Sequence, residues 1–187
     1  EELARSTTVV ALAGDVSVPE HRRRLASAVA ESAPLDLLIN NASALGPSPL
    51  QPLDRADVDA FPAVLATNLV APLALYQLVV PHLAEKAAVV NITSDASVEA
   101  YPGWGLYGAS KAGLDQLSAI LAAERPDLRV YAFDPGDMRT QMHQDAFPGE
   151  DISDRPEPEE VVPAFLALLE RRPPSGRVAA SEMSIGR

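Results

Sequence analysis

Short apolar runs rich in β-branched residues alternate with stretches of helical pattern along the chain, and this alternation limits the fold more than any other feature. The runs are Thr7 to Ala13, Leu35 to Asn40, Ala88 to Thr93 and Leu128 to Phe133, with a short last one at Arg177 to Ala180. Helical pattern covers Pro19 to Ala33, Asp57 to about Ala84, Tyr107 to Glu124 and Glu159 to Glu170. Pro19 suits a first turn, whereas Pro62, Pro72 and Pro81 interrupt the long second stretch. Pro72 also leaves the Asn68 carbonyl without its N–H partner one turn on. Strands this apolar are buried on both faces, and strands followed by helices run parallel. The expectation is a single α/β domain over residues 1–187, a doubly wound parallel sheet in a three-layer α/β/α arrangement.

Composition narrows the functional classes. The 187 residues carry a formal net charge of −11, which argues against a nucleic-acid partner, since phosphate binding needs clustered Lys and Arg. With no cysteine, disulfides, thiolate metal sites and cysteine nucleophiles are excluded. No apolar run is expected to approach the roughly 20 residues of a membrane span, and the start Glu1-Glu2-Leu3-Ala4-Arg5 lacks a signal pattern. A cytoplasmic protein without a membrane partner is expected. His21, His82 and His143 fit no metal spacing and read as surface residues, so no metal is assigned. Arg22-Arg23-Arg24 reads as a solvated helix face.

In parallel sheets ligands sit beyond the carboxyl ends of the strands. Those ends carry Gly14-Asp15-Val16, Asn41-Ala42-Ser43, Ser94-Asp95 and Asp134-Pro135-Gly136. Tyr107 and Lys111 lie four apart near a helix start, hence on one face. Only two lysines occur, Lys86 and Lys111. Lys86 falls in a polar connection between helix and strand. A phenol titrates near pH 10, and a nearby ammonium is expected to lower that value. Ser94 precedes Tyr107 by 13 residues, and the segment between them holds Pro102, Gly103 and Gly105, so it can fold back. Hydroxyl and phenol together could hold a carbonyl oxygen, with Tyr107 giving the proton. Tyr101 and Trp104 lie between them and are candidates for the pocket wall or for the core.

Ser94, Tyr107 and Lys111 resemble the Ser-x12-Tyr-x3-Lys signature of the short-chain dehydrogenases/reductases. Asn40-Asn41-Ala42-Ser43 resembles that family's Asn-Asn-Ala-Gly motif, with Ser in the last place. Asn68 stands where the family has a fourth catalytic residue. Pro135-Gly136 with Met138 and Thr140 resembles the segment that meets the nicotinamide carboxamide, and Asp15-Val16 resembles the pair beside the adenine. The resemblance implies a Rossmann-like fold and NAD(P)-dependent oxidoreductase chemistry on a small carbonyl or secondary alcohol. It implies Ser94, Tyr107, Lys111 and Asn68 as catalytic residues. The cofactor, NAD(H) or NADP(H), would lie on Asp15, Val16, Asn41, Ala42, Ser43, Lys111, Pro135, Gly136, Met138 and Thr140. It also implies a homodimer or homotetramer, and a substrate lid over 137–158.

One departure is large. The family's Thr-Gly-x3-Gly-x-Gly loop, where pyrophosphate meets a helix N-terminus, has no counterpart here. About two strands of the fold are expected to be missing, as residues left out of the sequence rather than lost from the protein. Two other classes stay open: a non-catalytic cofactor-binding or regulatory protein on the same fold, and a Ser94–Lys111 hydrolase, although no Gly-x-Ser-x-Gly elbow surrounds Ser94.

Overall fold

The computed structural model describes residues 7–183. Four strands form one parallel sheet, in spatial and chain order β1 (Leu35–Asn40), β2 (Leu83–Ile92), β3 (Arg129–Asp134) and β4 (Gly176–Ala179). The helices are α1 (Pro19–Ser32), α2 (Phe61–Leu65), α3 (Ala71–Val79), α4 (Gly105–Glu124), α5 (Gln141–Ala146), α6 (Pro158–Arg171) and α7 (Ala180–Met183).

Register and side-chain alternation divide the core into two layers. Leu38, Val89 and Val130 stand side by side. They pack with Ala87 and Leu128 against Tyr76 of α3 and Leu121 and Ala122 of α4. The next row, Ile39, Val90 and Tyr131, opens on the other face, where Val90, Tyr131, Phe133 and Val178 meet Ala164, Ala167 and Leu168 of α6. Leu168 and Phe133 are almost fully buried, a gain of about 1.5–3 kcal/mol for each such side chain. Helices on both faces make the three layers that the apolar runs predict.

Three local expectations differ. Thr7 to Ala13 is not a strand. No described strand lies beside it to complete a ladder, and Val9 and Val10 are exposed. The long helical stretch ends at His82 rather than Ala84, because Pro81 stops it and Leu83 and Ala84 already belong to β2. Within that stretch a π turn spans Ala66–Val70, where the Ala71 N–H goes back to the Ala66 carbonyl. It directly precedes Pro72, which cannot supply an ordinary helical donor. Lys86 lies inside β2, not in a connection, and has φ 62°. There the register slips: Leu35 faces Leu83 but Leu37 faces Ala88, so extra β2 residues are absorbed as a bulge.

The stretch Val58–His82 is 25 residues long and apolar enough, by length and composition, to cross a membrane. This differs from the expectation of no such run, because Asp59, Asn68 and three prolines interrupt the apolar residues without much lowering their average. Here the stretch buries Val64, Asn68, Ala71 and Val79 inside the fold.

The contact that positions α4 is a close approach of backbone. A Cβ on Gly108 would lie 2.7 Å from the Ala96 carbonyl oxygen. Gly108→Ala should therefore push the first turn of α4 off residues 95–97 and destabilise the protein by ~1–3 kcal/mol, as overpacking does. Urea unfolding would read the loss; an unchanged midpoint would mean that the helix shifts freely.

Candidate active site

The carboxyl ends of β1, β2 and β3 open into one cavity of about 370 Å³. β1 delivers Asn41, Ala42 and Ser43; β2 delivers Thr93 and Ser94; β3 delivers Asp134, Pro135 and Gly136; α4 delivers Tyr107 and Lys111. Met138, Thr140, Met142 and His143 close the far side, with Trp104. Ten of the residues singled out in the sequence thus share one wall: Asn41, Ala42, Ser43, Ser94, Tyr107, Lys111, Pro135, Gly136, Met138 and Thr140.

Three do not border it. Asn68 is buried and fully engaged. It accepts from the Ala44 N–H (2.7 Å) and the Ser43 hydroxyl (3.2 Å), and donates to the Ala44 carbonyl (2.8 Å) and Ser110 Oγ (2.9 Å). The side chain fastens the β1 loop to α4. Asp15 lies in a neighbouring cavity of about 590 Å³ that shares Ser43 and Met142 with the first. Val16 lines a recess with Asn41 and Ala42.

Ser94 caps a 3-10 turn over Asp95–Ser97. Its hydroxyl accepts from the Ala96 N–H (3.2 Å) and donates to Asp95 Oδ1 (3.1 Å), and it also bonds the Tyr107 phenol. The other Asp95 oxygen accepts from the Tyr101 hydroxyl at 2.9 Å, so Tyr101 braces the turn from outside the cavity. Asp134 Oδ1 accepts from the Gly136 N–H at 2.9 Å. This turn needs glycine, because Gly136 has φ 75°.

The two central groups are displaced in opposite directions by burial. The Tyr107 phenol is raised above its ordinary value. Burial is the main cause; the Ser94 and Ser43 hydroxyls oppose it, and the Asp134 and Asp95 carboxylates add to it. The groups that lower it are the two hydroxyls, and not Lys111 as the spacing predicts. The ammonium sits 5.5 Å from the ring centre and donates to the Ile92 carbonyl at 2.7 Å. Lys111 itself is pushed down to about 8 by burial, against the attraction of Asp115.

One end of the cavity is aromatic. Trp104 meets Tyr107 edge-on with ring centres 5.6 Å apart and lies tilted against Phe147 at 5.9 Å, and Phe147 is tilted against His143 at 4.9 Å. His143 and His21 are buried, not on the surface as expected, and so is Arg22. Arg22 donates to the Val16 carbonyl at 2.6 Å. His21 lies on Gly14, where a Cβ would stand 2.2 Å from its Nδ1. Thr140 caps α5 by accepting from the His143 N–H at 3.2 Å, a Thr-x-x-His spacing that was readable in the sequence. Arg177, which carried no motif, reaches the rim from β4.

The residues present fit the nicotinamide end of a dinucleotide. A buried cation, small residues at three strand ends and a glycine turn whose Cα faces open space converge on one cavity. Among the described residues no cluster of His, Asp and Glu could hold a metal ion.

A sequence model of the short chain dehydrogenase family matches residues 1–151. Mouse (Mus musculus) sepiapterin reductase is 36% identical over 145 residues, 73% of this chain and 56% of that protein. Benzil reductase ((S)-benzoin forming) of Bacillus subtilis (strain 168) is 38% identical over 112 residues, 56% of this chain and 45% of that one. The chain thus spans about half the length of these curated relatives. A short chain dehydrogenase of Escherichia coli CFT073 complexed with NADPH superposes with TM-score 0.79 at 29% identity, covering 87% of this chain and 70% of that one.

The displaced lysine has a consequence for stability. Its folded value lies below the unfolded one near 10.5, so between pH 8 and 10.5 the unfolded chain holds a proton that the native state has lost. Stability must rise with pH in that window. Relative to Lys111→Met, the unfolding free energy of the wild type should climb by roughly 3 kcal/mol from pH 8 to 10.5, at about 1.4 kcal/mol per unit. Urea titrations at pH 7.5, 9 and 10.5 would read it; parallel curves would remove the buried charge from the account.

Proposed function

The chain belongs to the short chain dehydrogenase family, and from that premise we propose that it carries an NAD(P)-dependent oxidoreductase site that reduces a ketone bearing a flat, apolar body. The observation that carries this reading is the convergence of Ser94, Tyr107 and Lys111 on a cavity closed by Pro135, Gly136, Met138 and Thr140. Bound there, NAD(H) or NADP(H) would supply or take hydride. Lys111, the Asn41–Ser43 loop and the Pro135–Thr140 segment would hold the nicotinamide end, and Asp15 and Val16 would lie toward the adenine.

The chain's own residues manage the oxygen and the proton. Ser94 and Tyr107 present two hydroxyls to a carbonyl oxygen and stabilise the negative charge that grows on it. Because burial keeps Tyr107 protonated at neutral pH, the phenol is ready as a donor, which favours reduction. Lys111 stands one turn away, able to reload it. Asn68 acts through position: it holds Ser43 and Ala44 against α4. The aromatic end formed by Trp104 and Tyr107, with Phe147 packed behind Trp104, favours a ring-bearing substrate, in keeping with the sepiapterin and benzil in the names of the two curated relatives. Residues 137–158 would serve as the lid. They are tied down by Arg139, whose N–H donates to the Pro156 carbonyl at 2.8 Å and whose side chain pairs with Glu157.

A regulatory protein on the same fold would have no need of a complete Ser-Tyr-Lys set, and a hydrolase would leave Tyr107 idle. The absorbance change at 340 nm with an aromatic ketone separates these readings. Tyr107→Phe should lower turnover on the order of 100-fold or more; retained turnover would sink the assignment.

The protein is also proposed to be a cytoplasmic homodimer or homotetramer of single-domain subunits. Val70, Leu73, Leu78 and Ile120 of the α3 and α4 region are exposed apolar residues, more than one monomer surface needs. Light scattering at micromolar concentration should return a multiple of the subunit mass, and a monomer mass would refute this.

A further inference from the structure

We infer that Arg177 is a positioning residue of this site: it locks the Ser94 and Gly136 turns together and neutralises the Asp134 carboxylate beside Tyr107. The inference rests on the oxidoreductase reading for its meaning, though its electrostatic part can be measured without turnover.

Arg177 sits on β4, in register with Ala132, Asn91 and Asn40, so its side chain rises on the face that carries α4. Its guanidinium crosses the strand ends. Nη2 donates to Asp134 Oδ2 at 2.7 Å and to the Ser94 carbonyl at 3.2 Å, and Nε donates to Asp115 Oδ2 at 3.3 Å. Each acceptor already serves the site. Asp134 holds the Gly136 N–H. The Ser94 carbonyl receives the Ser97 N–H at 3.0 Å. Asp115 accepts from Ser97 Oγ at 2.5 Å and draws on Lys111. One planar cation thus joins β2, β3, β4 and α4 at the edge where chemistry is proposed, a task that suits the fixed fork of an arginine.

The charge matters as much as the geometry. Asp134 is about nine-tenths buried, and Arg177 is the cation paired with it. Around the Tyr107 phenol stand Ser43 from the β1 loop, Ser94 and Asp95 after β2, and Asp134 at the end of β3. Lys111 lies on its own helix, with Asp137 and His143 across the cavity. Two carboxylates, Asp95 and Asp134, work against ionisation of the phenol. Among the described residues the Asp95 carboxylate accepts from hydroxyls, those of Ser94 and Tyr101, and has no cation paired with it. Arg177 therefore decides how strongly Asp134 is felt.

The test is a titration of the phenolate absorbance near 295 nm on the full-length protein, with the Tyr107→Phe signal subtracted. In Arg177→Met the Tyr107 midpoint should move up by ~1 pH unit, since an unpaired like charge nearby disfavours the phenolate. Arg177→Met/Asp134→Asn should bring it back to the wild-type value or below, and Arg177→Lys should lie between. If Arg177→Met does not fold, Asp134→Asn alone should move the midpoint down, because it leaves the arginine charge uncancelled. A midpoint unmoved in the folded variants would overturn the inference. Turnover of the wild type on an aromatic ketone, with NADH and with NADPH, is read in parallel: its absence with both would overturn the oxidoreductase reading while leaving the titration to judge Arg177.

Discussion

The Ala96 carbonyl and the Cα of Gly108 approach so closely that no side chain fits between them, and the site depends on that contact. It brings the first turn of α4 onto the 3-10 turn that follows β2. Tyr107 then lies against Ser94, and Lys111, one turn on, reaches the Ile92 carbonyl at the end of β2. A wider gap would leave the phenol and the hydroxyl on separate elements, with nothing to hold an oxygen between them. The parallel ladder supplies the other half. Asn91 pairs with Asn40 and Ala132, and Ile92 with Phe133, so three strand ends finish at one level.

The layer between sheet and α4 is more polar than a core requires. Asn40 Nδ2 donates to Asn91 Oδ1 at 2.7 Å, Asn91 Nδ2 donates to Ser118 Oγ at 2.8 Å, and Ser118 Oγ donates to the Leu114 carbonyl at 2.7 Å. Asn68 adds four bonds of its own. Buried amides left unpaired would cost about 1–3 kcal/mol each, so these networks admit one register and one helix position. They convert polar groups that would otherwise destabilise the interior into alignment for the residues at the rim.

Much of this was legible because it is local. β1 runs from Leu35 to Asn40 as its apolar run does, and the 13-residue spacing of Ser94 and Tyr107 implied a fold-back that the structure contains. What escaped depends on partners distant in sequence. Thr7 to Ala13 has strand composition but no neighbouring strand among the described residues. His21 is buried because Gly14 leaves room for its ring, and Arg22 because the Val16 carbonyl faces it. Lys86 enters β2 through a bulge that only the β1 register reveals. Arg177 carries no motif; its place follows from its alignment with Ala132 and from two carboxylates, 43 and 62 residues away in sequence, that meet at its tip.

Burial separates the two titrating groups of the site in a useful way. It pushes Lys111 down to about 8 and pushes Tyr107 up, since each loses hydration of its charged form. The neutral phenol is therefore the resting form near neutral pH, while the lysine keeps its charge there with less margin than an exposed one. A phenol drawn strongly downward by a bare ammonium would rest partly ionised and would suit alcohol oxidation. Here the ammonium leans on the Ile92 carbonyl, and the carboxylates of Asp134 and Asp95 face the phenol. On the proposed oxidoreductase reading, this balance of charges leaves the phenol holding the proton that a carbonyl oxygen would take.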